Sequence, residues 1–233
     1  MHFLRPFSII ILFVMISSKS FCQDNVFPSI DRYKYYGLDN KFYISFMPVS
    51  LIDFADGSSL RFSADAKVYK GIALSAEIGY YTYLSDYFAK PNAKGIIIKP
   101  ALKYYLWKGN KCNGPYIGLE YQYKHQTYFE HDSISVNSAG YAKTYKMTRY
   151  VNCINAKFGY LNNLTRRIIL EMYAGAGIRF FNSSTDLPQT EYDGILRGEK
   201  YGNDMNSGYQ VRVLGRHTYP NISAGIKIGV RLR

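Results

Sequence analysis

Apolar and polar residues alternate with a period of two for 10–14 residues at a time, and the pattern recurs eight times. That repetition limits what the chain can fold into. Successive side chains of a strand point to opposite faces, so such alternation describes a strand with two chemically different sides. Ile168 to Phe180 is the clearest case. One face reads Ile168, Leu170, Met172, Ala174, Ala176, Ile178, Phe180, and the other Ile169, Glu171, Tyr173, Gly175, Gly177, Arg179. The same pattern runs through Leu60–Tyr69, Ile72–Leu84, Ile96–Trp107, Tyr116–Thr127, Tyr150–Tyr160 and Ile222–Leu232, with a less regular first strand at Phe42–Ile52 that contains Pro48. Hardly any stretch carries the 3.6-residue stripe of an amphipathic helix.

Strands of soluble proteins average about five or six residues, whereas a tilted strand that crosses a bilayer needs about 9–11. The expected fold class is therefore all-β: an eight-stranded antiparallel transmembrane β-barrel, up-and-down, with short periplasmic turns and longer outer loops. With the N-terminus inside, turns fall at 69–71, 108–115 and 161–165, and outer loops at 53–59, 85–95, 128–147 and 182–219. The last of these is far longer than an ordinary connection. A secreted sandwich or lipocalin-like barrel also alternates, with its apolar face turned inward instead. Strand length and aromatic placement favour the lipid-facing reading. The chain has 24 Tyr, 14 Phe and 1 Trp in 233 residues. Tyr80, Tyr81, Tyr83, Tyr104, Tyr105, Tyr121, Tyr123, Tyr150, Tyr160 and Phe180–Phe181 sit at strand ends, where interfacial aromatic girdles are expected.

The first residues read as an export signal. Arg5 precedes an apolar core from Phe7 to Ile16, too short to span a membrane, and cleavage after Cys22 leaves Gln23 first. Lipidation of Cys22 and a retained anchor are the alternatives. The expected organisation is signal peptide 1–22, a periplasmic segment 23–39, and an outer-membrane barrel 40–233 that includes the long loop 182–219. Without residues 1–22 the chain carries 27 basic and 17 acidic residues, a balance of +10. These charges are scattered singly, and no nucleic-acid-binding signature accompanies them. Cys112 and Cys153 remain, either paired in an oxidising compartment or idle as buried thiols. Their spacing matches no metal or redox motif.

Three segments carry a resemblance: Phe42–Leu51 (FYISFMPVSL), the Leu60–Tyr83 hairpin, and the ending Pro220–Arg233 (PNISAGIKIGVRLR). In these the chain resembles the small outer-membrane β-barrel proteins, porin-like or OmpA-like, of Bacteroidetes-type Gram-negative bacteria. The resemblance covers nearly all of residues 40–233. It implies an outer-membrane location, outer-membrane lipid as surroundings, and the barrel-assembly machinery as a partner during insertion. It implies no catalytic motif.

The polar faces hold the candidate functional set, a lumen charge network of Arg61, Lys67, Glu77, Lys99, Lys103, Glu120, Lys157, Glu171, Arg179, Lys227 and Arg231, with Asp65 and Lys124 on the same faces. Charges in a dry interior are costly unless paired. The three glutamates are expected to find lysine or arginine across the lumen and fill it. A narrow anion-preferring pore is the functional alternative. A membrane hydrolase is a further alternative, built from His125, His131 and His217 with Asp132 or Asp186. Neither a Gly-x-Ser-x-Gly elbow nor an HExxH motif occurs. The resulting expectation is a non-enzymatic, monomeric barrel without metal, cofactor or nucleic acid. Its role would be structural or surface-binding, with an unknown extracellular ligand held by loops 128–147 and 182–219.

Overall fold

The alternating segments pair edge to edge as eight antiparallel strands: β1 (Phe42–Phe46), β2 (Ser59–Tyr69), β3 (Ile72–Tyr81), β4 (Lys94–Tyr105), β5 (Gly114–Val136), β6 (Ala139–Asn163), β7 (Ile168–Thr185) and β8 (Gly215–Leu232). The structure, a computed structural model, describes residues 38–52, 58–82, 92–107, 111–136, 139–195 and 213–232. All of them belong to the unit Tyr35–Arg233. The expected signal peptide, and the segment 23–39 as far as residue 37, lie outside the described residues.

Each strand pairs with its neighbour in sequence, and β1 also pairs with β8, which closes the sheet on itself. The stagger of the ring can be followed through cross-strand partners. Ile228 lies opposite Phe46, which lies opposite Phe62, then Ile78, Ile98, Tyr123, Asn152, Phe180 and finally Thr218, back on β8. One circuit thus moves ten residues along the strand, from 228 to 218. Ten residues at about 3.3 Å each, over eight strands about 4.8 Å apart, give a tilt of roughly 40° and a backbone radius of roughly 8 Å. A ring of that width is filled by its own side chains.

The two faces divide sharply. Outward positions are apolar and exposed on every strand, among them Ile44, Phe62, Ile78, Leu102, Leu119, Phe158, Met172 and Ile222, the last 83% exposed. Inward positions include Asp65, Glu77, Lys103, Glu120, Lys157, Glu171 and Lys227, all buried.

The expected layout needs correction. The structure has no long loop at 128–147. That segment continues the β5–β6 ladder up to the pair Val136–Ala139, so the two strands are 23 and 25 residues long. Apolar alternation fades there because, Phe129 apart, the outward residues become His125, Thr127, His131 and Ser133, yet the backbone ladder goes on. The segment 182–219 is likewise shortened from both ends, by β7 running to Thr185 and by β8 starting at Gly215. Between them lie a short helix α1 (Gln189–Asp193) and a bridge from Ile195 to Ile134, while 196–212 falls outside the described residues. β1 is shorter than expected because Pro48 has no N–H for the ladder. Residues Pro48–Ile52 form a 3-10 turn, tied by Ser50 Oγ donating to the carbonyls of Met47 and Ser59, each at 2.7 Å. The transmembrane part of the expectation is not a finding of the structure. Among the described residues no helix is long and apolar enough to cross a membrane, a statement that does not bear on strands.

The girdle expectation is also only half right. Tyr81, Tyr105 and Phe181 point inward and are buried, while Tyr80, Tyr104 and Phe180 point outward. Adjacent residues of a strand cannot share a face, so each doublet supplies one ring to the surface and one to the interior. Tyr83 lies outside the described residues.

Candidate functional site

Strand alternation delivers the charged residues to the interior, and the register decides which of them meet. Near the end of the ring where Phe42 and Leu232 lie, Lys103 of β4 sits between two carboxylates, 2.6 Å from Asp65 and 2.7 Å from Glu171. The Tyr116 hydroxyl also donates to Glu171, at 2.5 Å, and the Tyr43 hydroxyl at 3.4 Å. Tyr43 and Tyr105 join through their hydroxyls at 3.3 Å. The Tyr116 ring packs 5.4 Å from that of Tyr105 and carries Lys103 over its face at 5.1 Å.

Further along the axis Glu77 takes two lysines, Lys227 at 2.7 Å and Lys99 at 3.4 Å. Lys227 also donates to Ser63 Oγ at 3.3 Å, and Ser63 bonds Ser45 at 2.6 Å. Lys157 pairs with Glu120 and lies 3.9 Å over the Tyr173 ring. Asn155 donates to Glu120 at 3.3 Å and accepts from Asn221 at 2.8 Å. Buried charges survive when paired, and the eight strands together bring a lysine to each of these carboxylates.

Two residues of the expected network lie at the rim. Lys67 is at the rim, half-buried, bound to Asp39 at 2.5 Å. Arg231 is also at the rim, where its guanidinium donates to the carbonyl of Arg166. Arg61 and Arg179 are buried in the upper interior. Arg61 donates to Ser59 Oγ at 2.7 Å, and Arg179 lies 5.5 Å from the Phe181 ring. Lys124 is buried as well.

Arg149 was missed by the sequence reading. It is fully buried, donates to Ser183 Oγ at 2.7 Å, and lies 4.7 Å over Phe181 and 5.8 Å over Tyr128. A loop ending at 147 and a strand begun at Tyr150 left it in neither. The alternation Tyr145, Met147, Arg149, Val151, Cys153 was the available signal.

At the hairpin end the interior turns apolar. Tyr81, Ile97, Tyr128, Ile134, Tyr145, Met147, Leu187, Tyr192 and Ile195 form one buried cluster. The segment after β7 folds onto it. The Ser135 N–H donates to the Gly194 carbonyl at 2.8 Å, and Lys143 pairs with Glu191 at 2.5 Å. The Glu191 hydrogen bond raises the Lys143 ammonium above its usual range. The sequence reading treated 128–147 and 182–219 as separate loops; the structure joins parts of both in one packed end.

The histidines do not form a catalytic group. His125 faces outward and stacks on Tyr150 at 4.6 Å. His131, on the same face of β5 and six residues on, bonds Thr144 at 2.8 Å. His217 packs on Phe181 at 5.4 Å. Asp132 is buried and accepts the Tyr145 hydroxyl at 2.5 Å, while Asp186 accepts the Lys146 N–H at 2.9 Å. The hydrolase alternative is thereby corrected. Alternation sends His125 and His131 outward while Asp132 points in. Among the described residues no group of three or more His, Cys, Asp or Glu could hold a metal ion. Cys112 and Cys153 are both buried and no disulfide joins them, so the pairing alternative falls.

No protein-family profile matches the chain, and no curated protein matches it in sequence. Among solved structures it is similar to the N-terminal β-barrel domain of Pseudomonas aeruginosa OprF, at 11% identity and a TM-score of 0.36, over 82% of this chain and 97% of that one.

Proposed function

We propose that the chain is a non-enzymatic barrel of the outer membrane of a Gram-negative envelope, structural in role, which presents the β5–β6 hairpin and α1 at the cell surface. The observation that carries this reading is the inverted arrangement of the ring: ion pairs inside and exposed aliphatic and aromatic side chains on all eight strands outside. A water-soluble barrel has the opposite arrangement.

Magnitudes support lipid as the solvent. Leaving one large apolar side chain in water forgoes about 1.5–3 kcal/mol of burial. Over a belt of this extent the sum reaches tens of kcal/mol, more than the roughly 5–15 kcal/mol that holds a domain folded. On β7 the belt runs from Ile168 to Phe180. Twelve steps of about 3.3 Å at a tilt of roughly 40° give a height of about 30 Å, the thickness of a bilayer core. Polar residues begin just beyond, at Asn182 on β7 and Thr127 on β5.

Lipid is then the surrounding partner, and the assembly machinery for such barrels the partner during insertion. The packed hairpin end is the surface on which an extracellular ligand would act. The test is cell fractionation combined with gel mobility. The mature chain is expected in the outer-membrane fraction, with a folded band that shifts on boiling. Recovery of the mature chain as a soluble periplasmic protein would overturn the reading.

A further inference from the structure

At the end of the belt opposite the hairpin, a pocket of about 670 Å3 is lined by Arg166, Arg167 and Arg231 together with Leu38, Val230 and Leu232. Among the described residues no carboxylate lines it. Asp39, next to Leu38 in sequence, is committed to Lys67 and to the Cys112 N–H at 2.9 Å. Three arginines, charged at any physiological pH, therefore line one pocket without a counter-charge from the described residues of its walls.

The backbone holds them there. The turn between β6 and β7 is closed by the N–H groups of Leu164 and Thr165 donating to the Ile168 carbonyl at 3.0 and 3.1 Å. Thr165 Oγ1 accepts the N–H groups of Arg167 and Ile168 at 3.2 and 2.9 Å. β8 is tied to the same turn, since the Arg231 N–H donates to the Arg167 carbonyl at 2.7 Å and its guanidinium to the Arg166 carbonyl. A guanidinium has five donors, so Arg231 keeps others for a ligand. The apolar lining is continuous with the belt, because Ile168 and Val230 are cross-strand partners and both face outward.

We propose that this pocket binds the phosphate of an anionic glycerophospholipid, with the lipid's acyl chains lying along Ile168, Val230 and Leu232. Arginine matches phosphate geometry through paired N–H donors. A site with cations on one side and aliphatic surface on the other suits a ligand that has both parts. The proposal rests on the membrane reading above.

The test begins with flotation of the refolded full chain with phosphatidylcholine vesicles. A chain that stays out of the vesicles overturns both readings. The inserted chain is then transferred to detergent micelles, and bound lipid is read by native mass spectrometry. The probes are phosphatidylglycerol, diacylglycerol with the same chains, and glycerol phosphate. One phosphatidylglycerol is expected to be retained, and neither of the other two. The Arg166→Gln, Arg167→Gln double variant is expected to weaken retention about tenfold. Lys146→Gln, on the exposed face at the hairpin end, is expected to leave it unchanged. Boil-sensitive gel mobility verifies that each variant is folded. Equal retention of diacylglycerol, equal binding of glycerol phosphate, or full retention by the folded double variant would each overturn this proposal while leaving the membrane reading standing.

Discussion

Lys227 on β8 and Glu77 on β3 meet at 2.7 Å inside the ring, although two strands lie between them and 150 residues separate them in sequence. Lys99 approaches the same carboxylate from β4 at 3.4 Å. Glu77 is 2% exposed, so water cannot replace it. Removing one member of a buried pair costs about 3–5 kcal/mol, because the partner stays charged without compensation. Glu77→Ala is expected to destabilise the barrel by that amount in urea titrations of the reconstituted protein. A loss below about 1 kcal/mol would show that the pair does not operate as described.

Tyr173 lies against Gly225, and a Cβ at that position would stand 2.6 Å from its hydroxyl. The ring cannot yield easily, because Lys157 and Lys227 rest over its face at 3.9 and 5.6 Å. Gly225→Val is therefore expected to cost at least the 1–3 kcal/mol typical of overpacking. Gly140, with nothing within 4 Å of its would-be Cβ, is expected to accept valine without loss of the folded gel band. Equal tolerance at both positions would contradict the packing.

Burial, with the Asp39 carboxylate second, pushes the Cys112 thiol up to about 11. The folded state then holds this proton more tightly than the unfolded chain. The linked stability is full below about pH 9 and is lost as pH rises from there through 11. At pH 8 the thiolate fraction is about one in a thousand. Iodoacetamide is expected to leave Cys112 of the folded protein unmodified at pH 8 and to label it once urea is added, as read by peptide mass spectrometry. Rapid labelling without urea would contradict the buried placement.

Ile195 bridges Ile134 and belongs to the apolar cluster that seals the hairpin end. Ile195→Ala is expected to release the segment 186–195 at a local cost of about 2–5 kcal/mol. Amide exchange should rise across that segment and stay slow in β1, β2 and β3. Exchange that rises throughout the barrel would mean that the seal and the ring are one cooperative unit.

The sequence made the two-sided strands legible because period-two alternation follows directly from strand geometry. It also placed Glu77, Glu120 and Glu171 on inward faces. Other features were hidden for physical reasons. Apolar alternation records the chemistry of the surroundings, not hydrogen bonding, so it stopped near Thr127 while the ladder ran on to Val136. Arg149 was lost with that stretch. The pairing of Lys103 with both Asp65 and Glu171 depends on a stagger that only the closed register defines. The contact between α1 and β5 depends on a chain reversal after Thr185 that leaves no periodic trace.

The ring closes through five residue pairs between β1 and β8, whereas β5 and β6 share 23. During synthesis β1 emerges first of the described strands and β8 last. For nearly the whole of that interval β1 has no closing partner, and an unpaired strand edge is a template for aggregation. Contacts between such distant segments also form slowly. The pairing that closes the ring is therefore the last to become possible: the hairpins form early and the circle last.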